Sequence, residues 1–457
     1  MSVEALREQQ AIRRTTDHLI QVFAGVHSAE RVEEAMGAAH RRFDGFPVRE
    51  FVPVLAERVA RAELTAQITT SEPATVTAPA EAGSSAQAAA GTARGGKLLL
   101  PIGAGVVVIA VVAAVVIVNL GQEPAPAPPS APALTLVRGV IGSEKKSFFE
   151  DPRVTRALAA EGVKVEVTTA GSRQIATSPD LGSYDFAFPS SAPAGEYIQR
   201  KRKIGTKYTP FSSPMAIATF QPIADLLAKA GVVKRKPVPT LDVGRYLDLV
   251  ASDKQWNRLK GNTAYPVGKN ILISTTDPRT SNSAAMYLAI AGYVANGNKV
   301  VHGAAAEKKV LPLVTRLFTG QGYTDNTSEG PFNEYLTVGM GPAPMVWIYE
   351  SQFVDAATRG QTKPGMVLMY PSPTVLSKHT LVPLNASGDR VGRLLSTDPE
   401  LRGLAAEHGF RAGDTSTLAK FAAEHDVPVA TDLIDVVDIP SYDTLEHLLD
   451  GVAKSYG

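Results

Sequence analysis

Small hydroxyl side chains recur in this chain where apolar strands give way to helical stretches. Gly142-Ser143, Gly171-Ser172-Arg173, Pro189-Ser190-Ser191, Thr275-Thr276-Asp277-Pro278 running on to Ser281-Asn282-Ser283, and Tyr349-Glu350-Ser351 share this character. Hydroxyls, together with the free N–H groups of a helix start, can hold an oxyanion without transforming it. Taken singly, each has a plainer reading. Ser, Thr and Asp are favoured helix caps, so Ser143 or Ser283 alone reads as a cap, and Arg173 alone as a solvated surface residue. Asp277 is expected to cap or brace its loop, since a free carboxylate would repel an anion. The repetition of the pattern points to binding.

Other chemistries find little support. The histidines are scattered through the chain with no H-x-x-x-H or similar metal-ligand spacing, and each reads as a surface or cap residue. No G-x-S-x-G elbow, Walker A loop or dinucleotide fingerprint occurs. The chain holds no cysteine, which removes disulfides, thiolate metal sites, a cysteine nucleophile and a lipid-modified cysteine anchor. A formal charge of +1 gives no electrostatic case for nucleic acid, and the run Arg200 to Lys203 reads as a solvated face. Neither catalytic residues nor a cofactor or metal are therefore expected.

The hydroxyl loops lie in the carboxy-terminal part of the chain. LTLVRGVIG, VKVEVTT, ILISTT and PMVWIYE read as strands, interleaved with helical stretches such as DPRVTRALAAEG and SAAMYLAIAGYVANG. This alternation predicts an α/β fold with largely parallel sheets, whose ligands gather beyond the carboxyl ends of strands. Residues 134–457 exceed the usual size of a single core, so two lobes are expected.

Before this domain stands LLLPIGAGVVVIAVVAAVVIV, residues 98–118, which holds no charged, amide or hydroxyl side chain. A hydrocarbon core of roughly 30 Å needs about 20 apolar helical residues, so the run is expected to span a membrane once. It begins too far into the chain for a signal peptide. Arg94 and Lys97 abut its start, whereas the first cation after it is Arg138, so the amino terminus is expected in the cytoplasm and residues 134–457 outside the cell. Residues 65–97, rich in Ala, Thr, Ser, Pro and Gly, read as a flexible linker, and the proline-rich 119–133 as a semi-rigid stalk.

Residues 1–64 read as an all-α three-helix module. Ile12, Leu19 and Phe23 line the first helix, Val32, Ala39 and Phe43 the second, and Val48, Phe51, Leu55 and Val59 the third, with Ser28 and Pro47 at helix starts. So short a segment has a marginal core, and pairing with a second copy would bury more apolar surface. FDGFPVREFVPVLAERVARAEL resembles the last helix of a short three-helix dimerisation module found at the start of various actinobacterial proteins.

The order of motifs in the outer domain carries a second resemblance. IGSEKKSFF, GSRQIA, YDFAFPSS, the crossing strand FSSPMAIATF, ILISTTDPRTSNSAAMYLA, VWIYES, the return MVLMYPSPTVLSKHTLVPLN and LLSTDPELRGLAAEHGFR follow one another. In this order they resemble a type 2 periplasmic solute-binding protein of the molybdate- and phosphate-binding branch. The resemblance implies a two-lobed fold, lobe one at 134–216 and 381–457, lobe two at 217–380, closing on a ligand between them. It implies ligand contacts from Ser143, Ser172, Ser190, Ser281 and Tyr349, with Arg173, Ser191, Asn282 and Glu350 in support. Expected partners are a small, anionic solute such as an oxyanion and a transporter or signalling protein. Two departures stand out: a membrane helix with an inner module, and Glu144 and Glu350 beside the cleft with Lys145 and Lys146 nearby. They leave a second reading open, that of a structural or interaction protein of the cell envelope whose cleft is degenerate.

Overall fold

The computed structural model describes residues 134–456, apart from 237, 322–324, 414 and 434, and parts of residues 12–64. The expected linker, membrane span and stalk, like Pro47, lie outside the described residues. Among the described residues no helix is long and apolar enough to cross a membrane.

In the amino-terminal part, helix α1 (Ala29–Arg41) starts at Ser28, whose hydroxyl accepts from Arg31 N at 3.3 Å. Its buried Val32, Ala35, Met36 and Ala39 pack with Leu19, Phe23, Ala56, Ala60 and Leu64. Val338 of the large domain borders the same cluster, and Arg61 forms an ion pair with Glu334 at 2.6 Å.

The large domain begins with β1 (Thr135–Ile141), α2 (Lys146–Glu150), α3 (Pro152–Ala160), β2 (Val163–Thr169), α4 (Ser172–Thr177), β3 (Phe186–Phe188) and α5 (Ala192–Arg202). Asp151 shows how such helices start: its carboxylate accepts from Arg153 N at 2.7 Å, and Pro152 supplies a preset first turn. β1 pairs in parallel with both β2 and β3, so the loops after all three strands leave the same sheet edge.

β4 (Tyr208–Phe220) then runs out of this lobe into a second one, and β9 (Leu376–Pro383) returns antiparallel to it. β9 inserts between β3 and β4, giving the order β2-β1-β3-β9-β4 in lobe one. The far half of β4 pairs with β7 (Met345–Tyr349) and β8 (Met366–Ser372), while β6 (Thr240–Asp242) and β5 (Val233–Lys234) extend the edge. Two crossing strands thus join two α/β lobes with separate cores. The core of lobe one centres on Phe148, Phe186, Phe188, Phe211 and Phe410, backed by α12 (Ala386–Thr397) and α13 (Pro399–Glu407).

Lobe two also holds α6 (Gln221–Lys229), α7 (Val243–Ala251), α8 (Asn282–Ala295), α9 (Gly303–Thr319), α10 (Glu329–Thr337) and α11 (Glu350–Thr358). α8 is apolar on all sides and buried from Asn282 to Gly292, as befits the central helix of a lobe.

The sheets are not largely parallel as expected, since among the named strands only β1–β2, β1–β3 and β6–β8 pair in parallel, and two local expectations also differ from the structure. ILISTT forms no extended strand; Ser274 alone bridges Val346 in parallel. The chain after residue 412 also does not stay wholly with lobe one, although its first helix still packs on α13 of that lobe. α14 (Thr415–Glu424) buries Leu418 and Ala422 beside Phe353 and Tyr370, and α15 (Tyr442–Ala453) buries Leu445, Leu448, Leu449 and Val452 against α8 and α9. The helically spaced apolar face of α15 gains roughly 1.5–3 kcal/mol for each large side chain it hides, and lobe two offers the matching surface.

Candidate binding site between the lobes

The loops after β1, β2 and β3 of lobe one meet the starts of α8 and α11 from lobe two. Contact is close: Arg173 N donates to Thr280 O at 3.2 Å, and a Cβ on Gly171 would lie 2.3 Å from that same oxygen. Glycine is required there because the backbones of the two lobes nearly touch.

Ser190 is the hub. Its N–H donates to Ser172 Oγ at 2.8 Å, and its carbonyl accepts from Asn282 Nδ2 of lobe two at 2.9 Å and from Ser377 Oγ of β9. Asn282 also donates to Tyr349 Oη at 3.0 Å. Ser172, Ser190, Asn282, Tyr349 and Ser377 are all buried. Burial, and then the charge of Glu144, push the Tyr349 hydroxyl above its ordinary value, so it stays protonated.

The hydroxyl of Ser190 donates to Glu144, which also pairs with Lys145. Lys145 Nζ donates to Ser190 Oγ at 2.9 Å and to His379 Nδ1 at 3.3 Å, and lies 4.8 Å from the centre of the Phe188 ring. Lys145 is fully buried and the Glu144 side chain nearly so. Burial opposes ionisation of Glu144, yet the charges of Lys145 and His379 and the hydrogen bonds from Lys145 and Ser190 bring its carboxyl down to about 2. Burial, and then the Lys145 charge, lower His379 to about 3, which keeps its ring neutral. Because Lys145 can only donate, His379 Nδ1 accepts and Nε2 carries the proton. That Nε2 and the hydroxyl of Ser351 are buried polar atoms without a partner.

The expected site residues separate into groups. Ser172, Ser190, Asn282 and Tyr349 converge. Ser143 lies buried one residue before Glu144, whose side chain rather than the Ser143 hydroxyl reaches the cluster. Ser191 caps α5 by accepting from Ala194 N at 3.3 Å, and Ser281 caps α8 while bonding Thr276 at 2.7 Å. Arg173 spans the lobes instead of facing a ligand: it donates to Pro278 O at 2.6 Å and pairs with Glu446 of α15. Glu350 is engaged by the protein's own groups, held by Arg411 at 2.9 and 2.8 Å and by the Tyr370 hydroxyl at 2.6 Å. Asp277 braces its loop through Arg279 N at 2.8 Å.

Sequence reasoning missed Ser377 and placed His379 and His408 on the surface. Both histidines are buried, His379 beside Lys145 and His408 between Asp151 at 3.1 Å and Asp355 at 2.7 Å. The strand pattern around His379, with Leu381 and Val382 following in a fully apolar run, was the signal available for it. Among the described residues no cluster of His, Asp or Glu is arranged to hold a metal ion.

No family model and no curated protein matches the chain. Among solved structures it is similar to the sulfate-binding protein SubI from Mycobacterium tuberculosis H37Rv at 16% identity and a TM-score of 0.42, covering 65% of this chain and 93% of that one. It is likewise similar to a periplasmic thiamin-binding protein (10% identity, TM-score 0.49, 73% of this chain and 100% of that one). A third is the periplasmic molybdate-binding protein of Azotobacter vinelandii (13% identity, TM-score 0.39, 61% of this chain and 100% of that one). All three TM-scores lie below 0.5. The fold assignment therefore rests on the strand order and the crossing strands: two α/β lobes, joined by antiparallel strands, with a polar cluster at their junction.

Proposed function

We propose that residues 134–457 form a solute-binding domain that captures a small ligand with an anionic group between its lobes, for uptake or sensing, and that residues 98–118 anchor it in a membrane with the domain outside. The observation that supports the capture reading most directly is the meeting of Ser172 and Ser190 from lobe one with Asn282 and Tyr349 from lobe two at hydrogen-bonding distance. Groups so placed can close on a ligand as the crossing strands flex. The buried, unpartnered His379 Nε2 and Ser351 Oγ add polar capacity at the same junction.

Anchoring is the separate part of the reading. A span at 98–118 would put Arg61 and Glu334 on opposite faces of the bilayer, so within one chain the anchor and that ion pair exclude one another.

A thermal-shift and calorimetric screen of the full-length chain against oxyanions, carboxylates, sugars and amino acids tests the capture reading. A ligand that raises the melting point in proportion to its excess over Kd, and loses most of that effect in the Ser172→Ala/Asn282→Ala variant, supports it. A second reading has its own observation: the Glu144–Lys145 pair fills the junction with the protein's own charges. No response to any solute would favour that reading, an envelope interaction protein with a closed cleft.

A further inference from the structure

The side chains around Glu144 have the make-up of an anion site. Its carboxylate is met by an ammonium and a hydroxyl, Lys145 and Ser190, and the ammonium is itself steadied by the acceptor Nδ1 of His379. Behind it stands Gly142: a Cβ there would sit 2.7 Å from each carboxylate oxygen of Glu144 and 2.2 Å from Ser190 Oγ. The missing side chain is what makes room for the carboxylate. The cradle lies on the loop after β1, at the sheet edge that faces the other lobe, and Tyr349 of lobe two is close enough for the Glu144 charge to act on its hydroxyl.

A purely structural ion pair has no need of this arrangement. Glu144 and Lys145 are neighbours in sequence, so the links to Ser190 and His379 could be made by polar neutral side chains without a charge pair. The pair places two charges in the interior, where desolvation takes back much of the Coulomb gain. What the pair does accomplish is to fill an oxyanion cradle that would otherwise leave Lys145 without a counter-charge.

We propose that Glu144 is a tethered ligand: its carboxylate occupies an oxyanion seat built by Gly142, Lys145 and Ser190, and a solute's anionic group enters that seat by displacing it. The inference deepens the solute-capture reading and rests on it for the identity of the cleft. Tethering gives Glu144 an effective concentration of about millimolar or more, so a free anion must out-compete it. Glu144 therefore sets a threshold on affinity, and its removal exposes the full affinity of the seat.

The test uses the full-length chain as wild type, Glu144→Ala, Glu144→Gln and Glu144→Gln/Lys145→Met. The probes are sodium formate, acetate, sulfate and molybdate at constant ionic strength, read by melting point against concentration and by calorimetry. Glu144→Ala and Glu144→Gln are expected to bind at least one probe at least tenfold more tightly than wild type, and the double variant to lose that gain. Formate and acetate against sulfate and molybdate show whether the seat takes a planar or a tetrahedral oxyanion. Glu144→Gln keeps the shape of the side chain and so serves if Glu144→Ala does not fold. The proposal is overturned if neither single variant binds any probe more tightly than wild type, or if the double variant binds as well as the single ones. The two readings fail separately. Anion binding by the variants with no solute bound by wild type would end the capture reading and leave the seat; a wild-type solute whose affinity is unchanged in both Glu144→Ala and Glu144→Gln would end the seat and leave capture.

Discussion

Replacing Glu350 by alanine should destabilise the protein without touching the binding cleft. Glu350 is fully buried, Arg411 is 7% exposed, and the guanidinium meets both carboxylate oxygens, at 2.9 and 2.8 Å. Arg411 follows the last helix of lobe one, while Glu350 opens α11 of lobe two, so the pair braces the junction beside the crossing strands. Removing one partner strands a buried charge, a loss of about 3–5 kcal/mol. The Tyr370 hydroxyl, which donates to Glu350 at 2.6 Å, also loses its acceptor, adding roughly 1 kcal/mol. Urea unfolding of the full-length chain, followed by tryptophan fluorescence, measures this loss directly. Trp256 and Trp347 both lie in the lobe-two core, so the signal reports the lobe that Glu350 belongs to. Glu350→Leu/Arg411→Met should lose much less than Glu350→Ala, because no charge is left alone. A Glu350→Ala variant within about 1 kcal/mol of wild type, or one of full stability that no longer binds a solute, would refute the bracing role and return Glu350 to the ligand.

Three further outcomes follow from the same geometry. His379 has its folded value near 3 against an ordinary 6.5, so the unfolded chain takes up a proton that the folded one refuses. Stability should fall as pH drops from 6.5 toward 3, by up to about 1.4 kcal/mol per pH unit, and His379→Gln should flatten that decline in urea titrations. Glu144, at about 2 against 4.5, adds stability that is complete above 4.5 and lost below it, so the window between 6.5 and 4.5 separates the two residues. Gly171→Ala would push a methyl against Thr280 O, 2.3 Å from the Cβ position, so small-angle scattering should show separated lobes; an unchanged profile would mean that the interlobe contact yields easily. Because the chain has no cysteine, Glu34→Cys and Lys164→Cys can each be labelled with an impermeant maleimide on whole cells. The membrane span predicts labelling at 164 alone, whereas labelling of both would favour the Arg61–Glu334 pair.

How far the sequence reached can be judged at particular residues. The helix start at Ser28 was legible because a cap needs only its own local backbone and accepts from an N–H three residues on, whereas Ser191 and Ser281, expected at the ligand, cap their helices in the same way. Motif order put Ser172, Ser190, Asn282 and Tyr349 at the junction, but it put Ser143, Ser191 and Ser281 there as well, and the structure does not bring these three into the cluster. The roles of Arg173 and Glu350 were not legible, because their partners, Glu446 and Arg411, lie far along the chain. Nothing in a local window says that a charged side chain has such a partner.

By itself the sequence determined the local terms: which stretches are apolar at strand or helix spacing, where helices begin, and that no thiol chemistry is available. Only the tertiary structure decided which charges are buried and what they face. It turned Glu144 and Lys145 inward onto Ser190 and His379, and it carried α15 back to lobe two. The reason is physical: propensity and capping act over a few residues, whereas burial and Coulomb energy depend on whatever the fold brings alongside, at any distance in sequence.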